Sequence, residues 1–481
     1  MLVKTFYKQR LLLSIKIRKN DHEGIKIYSG EINRFMKIGI PIILFLSFIV
    51  NTVSAQKSDS LQTRLTLDEC ILYALKNQPS IHQAFLDELI TSENVKISLS
   101  GWLPQINFNA NLQHYLKLPV VFLPNAANPT GPKQQVSSGL INTSGFLFSA
   151  DQVLYSTELF FAKKTAKDLH KLAAENTQTS KIDLVVNISK AFYDVLITQQ
   201  QLQVLDEDII RLEKNYTDSY NLYKNGLTAK TDYQRTIISL NNAKAQRKSM
   251  MEGIDAKNAY LKELMGLPAE KRLEILFDYS KVQNELSLDT SRILEYEKRI
   301  EYQTLRTNIA IQQYGESYYK WSFLPKLSAF ADYNILFQND YFSKLYSQVF
   351  PNSYIGLKLD IPIFQGSERL HNLHKASLQS NRLSLSMENL KNQMNTEYVQ
   401  ALSSYKSNLN EMQAAGENIS IARDIFNTVK LQYGNGIVTY LEVIVAETDL
   451  RTAQLNYLDT LYQVLSSIMD VKKSLGDIEV K

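Results

Sequence analysis

From Thr157 to Asn225 the chain runs for 69 residues without a glycine or a proline, and from Ser367 to Tyr433 it runs for 67 with Gly416 as the single interruption. Glycine and proline are the residues that end or kink helices. Their absence predicts two continuous helices, each about 100 Å long at 1.5 Å per residue. Ordinary globular helices have only three or four turns, so helices of this length need partner helices along most of their course. Leu202, Leu205, Ile209, Leu212, Tyr216, Tyr220 and Tyr223 follow one another at steps of three or four, which keeps one stripe facing such a partner.

Both runs end in the same way. "YKNGLTAKTD" at 223–232 and "YGNGIVTYLE" at 433–442 share Tyr-x-Asn-Gly-aliphatic followed by an acid, at an offset of 210. Asn and Gly tolerate the left-handed conformation that closes a helix C-terminus. Helix-compatible sequence resumes at once, over Leu227–Glu252 and Ile437–Leu475, so each motif reads as the tip of a long helical hairpin. Other anchors recur. "LTLD" at 65–68 returns as "LSLD" at 286–289, and Leu103-Pro104 as Leu324-Pro325, both at 221; Asp151 returns as Asp360 at 209, and Gly266 as Gly476 at 210. The expected organisation is two structural repeats, 56–275 and 276–481, each with a helix, a strand pair and a long hairpin. The drop in offset gives the first copy one loop longer by about a dozen residues.

Ahead of each long helix the period changes from helical to two. Gln105, Asn107, Asn109, Asn111 and Gln113 alternate with Ile106, Phe108, Ala110 and Leu112; in the second copy Ile355, Leu357, Leu359, Ile361 and Ile363 alternate with Tyr354, Gly356, Lys358 and Asp360. These are strands with one apolar face, two per repeat and four per chain, separated by proline-containing loops such as 118–132. If the apolar faces meet lipid, every edge must be paired and the sheet must close. Four strands are too few, because the smallest such barrels have eight; several chains must then share one barrel. A soluble β-layer packed on helices has the same alternation.

The N-terminus carries Met36-Lys37, an apolar run from Ile38 to Val50 and Val53-Ser54-Ala55. That order of charge, apolar core and small residues is a secretory signal, with cleavage expected after Ala55 and Met36 as the expected initiator. The apolar run is too short for a bilayer span. The leader 1–55 holds 9 of the 53 Lys+Arg and 3 of the 49 Asp+Glu, which leaves 44 basic and 46 acidic residues in the remainder. A net charge of −2 offers no basic footprint for nucleic acid. Cys70, the single cysteine, allows no internal disulfide. His371 and His374 can share a helix face, but no HExxH or cysteine cluster accompanies them, so no metal site is assigned. No set of nucleophile, base and orienting group emerges either; the expectation is a non-enzyme without a cofactor.

The signal, the "LTLDECILYALKNQPSI" opening, "WLPQINF", the strand pairs, the long helices and the paired Tyr-x-Asn-Gly tips together resemble the outer membrane efflux protein family over roughly residues 61–476. That resemblance implies a mainly helical chain with membrane strands: four strands per subunit in a twelve-stranded barrel of a homotrimer, with the helical hairpins continuing as an α-barrel across the periplasm. It implies a periplasmic adaptor and an inner-membrane transporter as partners, and outer membrane lipid around the barrel. Carried over residue by residue, Gly226, Leu227, Thr228, Gly436, Ile437 and Val438 are adaptor-docking tips. Thr231, Asp232 and Tyr433 hold the periplasmic entrance closed, and Glu442 is a pore-constricting acid. Val438 stands where some members have a basic residue that ties the closed state, and Val445 where some have a second acid. Two alternatives stay open: a periplasmic coiled-coil adaptor, which usually has one hairpin per chain, and a secreted coiled-coil structural protein, which needs no tip motif.

Overall fold

The computed structural model describes residues 63–124, 131–276 and 286–480; the expected leader and signal peptide, 1–55, lie outside them. The described chain is dominated by two helices of the anticipated length, α3 (Thr157–Lys224, 68 residues) and α6 (Glu368–Gly434, 67 residues). Each turns back into a helix of 36 residues, α4 (Lys230–Met265) after α3 and α7 (Tyr440–Leu475) after α6. Gly416 leaves α6 unbroken, and a Cβ there would lie 3.6 Å from the ring of Tyr457, an ordinary van der Waals contact.

Three shorter helices complete the helical part: α1 (Leu67–Asn77), α2 (Pro79–Leu99) and α5 (Ile300–Trp321). On the half nearer the strands, α3 lies between α2 and α5, and α5 reaches α6; on the other half α3 lies between α4 and α7, and α7 packs on α6. The long helices thus run through both halves, while the short ones change partners midway. A core fills the middle, where Leu184, Ile188, Val195 and Leu196 of α3 meet Leu261 and Met265 of α4 and Val464, Leu465 and Ile468 of α7. Cys70 is fully enclosed there, and burial pushes its thiol up to about 12.

The two "L-[TS]-L-D" segments fold differently. Thr66 opens α1 with a capping box: Glu69 N–H donates to Thr66 Oγ1 at 3.5 Å, and Thr66 N–H donates to Glu69 Oε2 at 2.8 Å. The matching position to Glu69 is Thr290, which has no carboxylate to complete the box. There Asp289 instead accepts from the Ser291 N–H and hydroxyl, a local turn that competes with helix. Helix resumes only after a 3-10 turn, at Ile300.

Four long strands form one antiparallel sheet: β2 (Gln105–His114), β5 (Asn142–Tyr155), β7 (Lys326–Asn339) and β8 (Val349–Asp360), in the order β2-β5-β7-β8. Phe108 packs on Phe146 and Phe148, and Phe146 on Phe337, so an aromatic row crosses the apolar face. β2 and β8 are the outer strands, each with one edge unpaired among the described residues, and nearly all of their residues are exposed. The alternation expected to run to Ile363 ends earlier: β8 stops at Asp360, and Ile361–Phe364 are irregular, because Pro362 has no N–H for a ladder. The proline-containing loop after β2 also holds a small hairpin, β3 (Val120–Leu123) with β4 (Gln134–Ser137). A parallel pair, β1 (Thr63–Leu65) with β6 (Leu273–Ile275), ties the start of the described chain to the segment after α4. Among the described residues no helix is long and apolar enough to cross a membrane.

Candidate functional site

The two hairpin tips are built alike. After α3, Asn225 caps the helix and Gly226 turns left-handed at φ +71°; its N–H donates to Tyr223 O at 2.9 Å, and Leu227 N–H donates to Leu222 O at 2.9 Å. After α6, Gly436 turns at φ +72°, its N–H donates to Tyr433 O at 2.9 Å, and Ile437 N–H donates to Gln432 O at 2.9 Å. Both are Schellman closures, in which two otherwise orphaned carbonyls are satisfied and glycine avoids the Cβ penalty. Leu227 and Ile437, the residues after each glycine, are both 71% exposed. An aliphatic side chain held out at each turn offers apolar area to something outside the chain.

The return helices also start alike. Ala229 and Thr439 are the N-caps, and their carbonyls accept from Asp232 and Glu442 at 3.1 Å. These two acids lie in the first turn, where a helix N-terminus favours negative charge. Thr439-x-x-Glu442 has the spacing of a capping box, yet no side-chain cap bond forms, and Glu442 is left exposed. Thr231 is exposed, Val438 is half-buried and Val445 is exposed on α7; the Thr228 hydroxyl is enclosed without a hydrogen-bond partner.

Tyr433 is the residue at which the tips meet electrostatically. Its ring centroid lies 5.3 Å from that of Tyr440. Burial, followed by the carboxylates of Asp232 and Asp218 from the other hairpin, holds its phenol above the ordinary value. Tyr440 is buried more deeply, and its phenol is pushed up to about 12. Of the expected gate residues, Asp232 and Tyr433 therefore share one neighbourhood. Thr231 makes no comparable approach among the described contacts.

Some 11 to 18 residues behind the tip glycines lies a group that the sequence reading missed. Asp208 and Glu447 are almost completely buried, on α3 and α7. Arg211 donates to both, to Asp208 Oδ1 at 3.1 Å and to Glu447 Oε1 at 3.2 Å; Arg451 donates to Asp208 Oδ2 at 2.8 Å and Asn215 to Glu447 Oε2 at 3.0 Å. Two carboxylates and two guanidinium groups cancel in charge. Burial, with Asp208 next, raises the pKa of Glu447, while Arg211 and Arg451 oppose the rise. The available signal was each acid's place inside an apolar stripe: Asp208 sits between Leu205 and Leu212, Glu447 between Val443 and Leu450.

This group belongs to a longer polar seam between α3 and α7. Lys473 reaches Asp183 at 2.7 Å, Lys190 reaches Asp470 at 2.6 Å and Gln201 reaches Asp459 at 2.6 Å. As the α3 number rises the α7 number falls in step, so the helices stay in one antiparallel register over about 40 Å. Among the described residues no group of three or more His, Cys, Asp or Glu is arranged to hold a metal ion.

Comparison with known proteins agrees with this architecture. The chain is 20% identical over 414 residues to the proteases secretion protein PrtF of Dickeya chrysanthemi, covering 84% of this chain and 87% of that one. It is 20% identical over 456 residues to the outer membrane protein TolC of Vibrio cholerae, covering 90% and 95%. The fold matches the open state of the Neisseria gonorrhoeae MtrE outer membrane channel with a TM-score of 0.67 at 15% identity, over 85% of this chain and 88% of that one. The family model described as "Outer membrane efflux protein" matches residues 71–267 and 317–477. The chain belongs to the outer membrane efflux protein family, whose members are outer membrane channels that extend into the periplasm.

Proposed function

We propose that this chain is the exit duct of a tripartite efflux or type I secretion machine, and that it works as a homotrimer. The observation that carries the reading is the pair of open edges on β2 and β8. Unpaired backbone groups do not persist in hydrocarbon, and four strands cannot close a barrel; three copies joined edge to edge supply twelve. The helices then continue inward as a tunnel wall. Gly226, Leu227, Thr228, Gly436, Ile437 and Val438 form the surface that an adaptor grips, with an inner-membrane transporter behind it. Thr231, Asp232 and Tyr433 act at the periplasmic entrance, and Glu442 lines the constriction. The chain itself performs no catalysis. The mature chain divides into the repeats 56–275 and 276–481.

The relatives' names point to both kinds of cargo: PrtF is a proteases secretion protein, and the family is named for efflux. The test of the whole reading is migration on denaturing gels of protein from outer membrane fractions, with and without heating. A heat-labile species near three times the mass of one chain is expected. A monodisperse monomer that stays in solution without detergent would end it. Gly436→Pro tests the docking surface, since proline removes the N–H that Tyr433 O accepts and cannot adopt positive φ. The trimer should survive and transport should fail.

A further inference from the structure

Beyond Gln201 and Asp459 the apolar clusters of the two hairpins are separate, and the hairpins meet through polar groups: Tyr440 lies against Thr236 and Tyr433 faces Asp232 near the tips, and the buried charges lie behind them. Leu212, Leu240 and Ala243 form one cluster within α3 and α4, and Ala422, Phe426, Tyr440, Val443, Ala446 and Leu450 form another within α6 and α7. Neither cluster includes a residue of the other hairpin. Among the described residues, every ion pair that joins the two hairpins in this region is made by Asp208, Arg211, Glu447 and Arg451. Their burial has a cost: removing charges from water offsets most of the attraction between them, and a well-packed apolar replacement is often as stable or more so. What such a group does supply between helices is register, because apolar stripes repeat and tolerate a slip while a polar contact at one position does not.

We propose that Asp208, Arg211, Glu447 and Arg451 are positioning residues that fix the two hairpin tips relative to each other, so that Gly226 and Gly436 present one composite surface to a partner. The part concerning a partner rests on the docking role proposed above; the part concerning position does not. The mechanism is geometric. From Arg211 to Gly226 is 15 residues and from Gly436 to Glu447 is 11, so the group stands about three to four helical turns behind the tips. A slip of one turn there displaces one tip along the other by about 5 Å, more than an aliphatic contact tolerates.

The test measures the tip-to-tip distance in the full-length protein without any partner. Leu227→Cys and Ile437→Cys take spin labels at exposed positions, while the enclosed Cys70 stays unlabelled; labelled chains are diluted with unlabelled ones so that distances within one chain dominate. The variant replaces the whole group with apolar residues: Asp208→Leu, Arg211→Met, Glu447→Leu and Arg451→Met. One narrow distance is expected for the native group. For the variant, a distribution broadened or displaced by about 5 Å or more is expected, with the melting temperature not lowered. A variant that folds and keeps the native narrow distance overturns the proposal. Should the apolar set prevent folding, an amide set (Asp208→Asn, Arg211→Gln, Glu447→Gln, Arg451→Gln) replaces it and is judged by the same distance. Loss of transport with an unchanged distance overturns it as well, and leaves the docking role standing.

Discussion

A Cβ placed on Gly266 would lie 2.8 Å from the carbonyl oxygen of Asn77. The same arrangement recurs where α7 ends, with a Cβ on Gly476 2.9 Å from the carbonyl oxygen of Lys298. Both glycines have positive φ, +66° and +76°, and both let a helix end press on the backbone of the segment that leads into α2 or α5. They therefore carry two constraints, a left-handed conformation and a close approach.

The tip glycines carry only the first, since nothing lies within 4 Å of a Cβ on Gly226 or Gly436. Gly226→Ala should cost about 1–2 kcal/mol. Gly266→Ala should cost that amount and about 1–3 kcal/mol more from overpacking. Thermal melting of the two variants side by side checks the order; equal losses would mean that the backbone near Asn77 yields freely.

Arg211 serves two buried carboxylates and Arg451 only one. Removing a partner from a buried pair costs about 3–5 kcal/mol, because the other charge is stranded. Arg211→Ala should fall at the upper end of that range and Arg451→Ala at or below the lower end, since Arg211 still holds Asp208. Denaturant unfolding of each variant reads the difference.

Glu447 gives the seam a pH dependence of defined sign. Its pKa in the folded chain is raised above 4.5, mainly by burial. Between 4.5 and the raised value the folded chain holds a proton that the unfolded chain has released. This contribution to stability is therefore largest below 4.5 and falls as pH rises through that window. Glu447→Gln should remove this part of the slope, so the melting temperature of the native protein should fall relative to that of the variant as pH rises through the window, and the two should run parallel above it.

If three Glu442 carboxylates converge at the periplasmic entrance, the narrow channel should favour cations and bind multivalent ones. Glu442→Ala should reduce cation selectivity and weaken block by trivalent cations in single-channel recordings from planar bilayers. Val445, one turn on, adds no second acid layer, so the native block should already be modest. Unchanged selectivity would place the constriction elsewhere.

The long helices, their tips and the four sheet strands were legible because each depends on local features: the absence of breakers, an Asn-Gly closure, an alternation of two. The end of β8 was misread because apolar alternation continued through Ile361 and Ile363, and Pro362 outweighed it. The small hairpin of Val120–Leu123 was hidden among prolines. The buried charges were missed for a different reason. Asp208 and Glu447 look like solvated surface acids, and only the crossing of α3 with α7, 236 residues apart at Arg211 and Glu447, encloses them. Of the tip residues, the shape of each turn was readable locally, while the approach of Tyr433 to Asp232 depends on the same crossing.

The bare edges of β2 and β8 also bear on biogenesis. Under the proposed assembly, a lone chain would bring the two unpaired edges of β2 and β8 to the bilayer, so it would have no membrane-bound infancy. If the barrel is shared by three chains as proposed, recruitment of its fellows and entry into the lipid would be one event, with a rate that climbs steeply with the number of chains waiting in the periplasm.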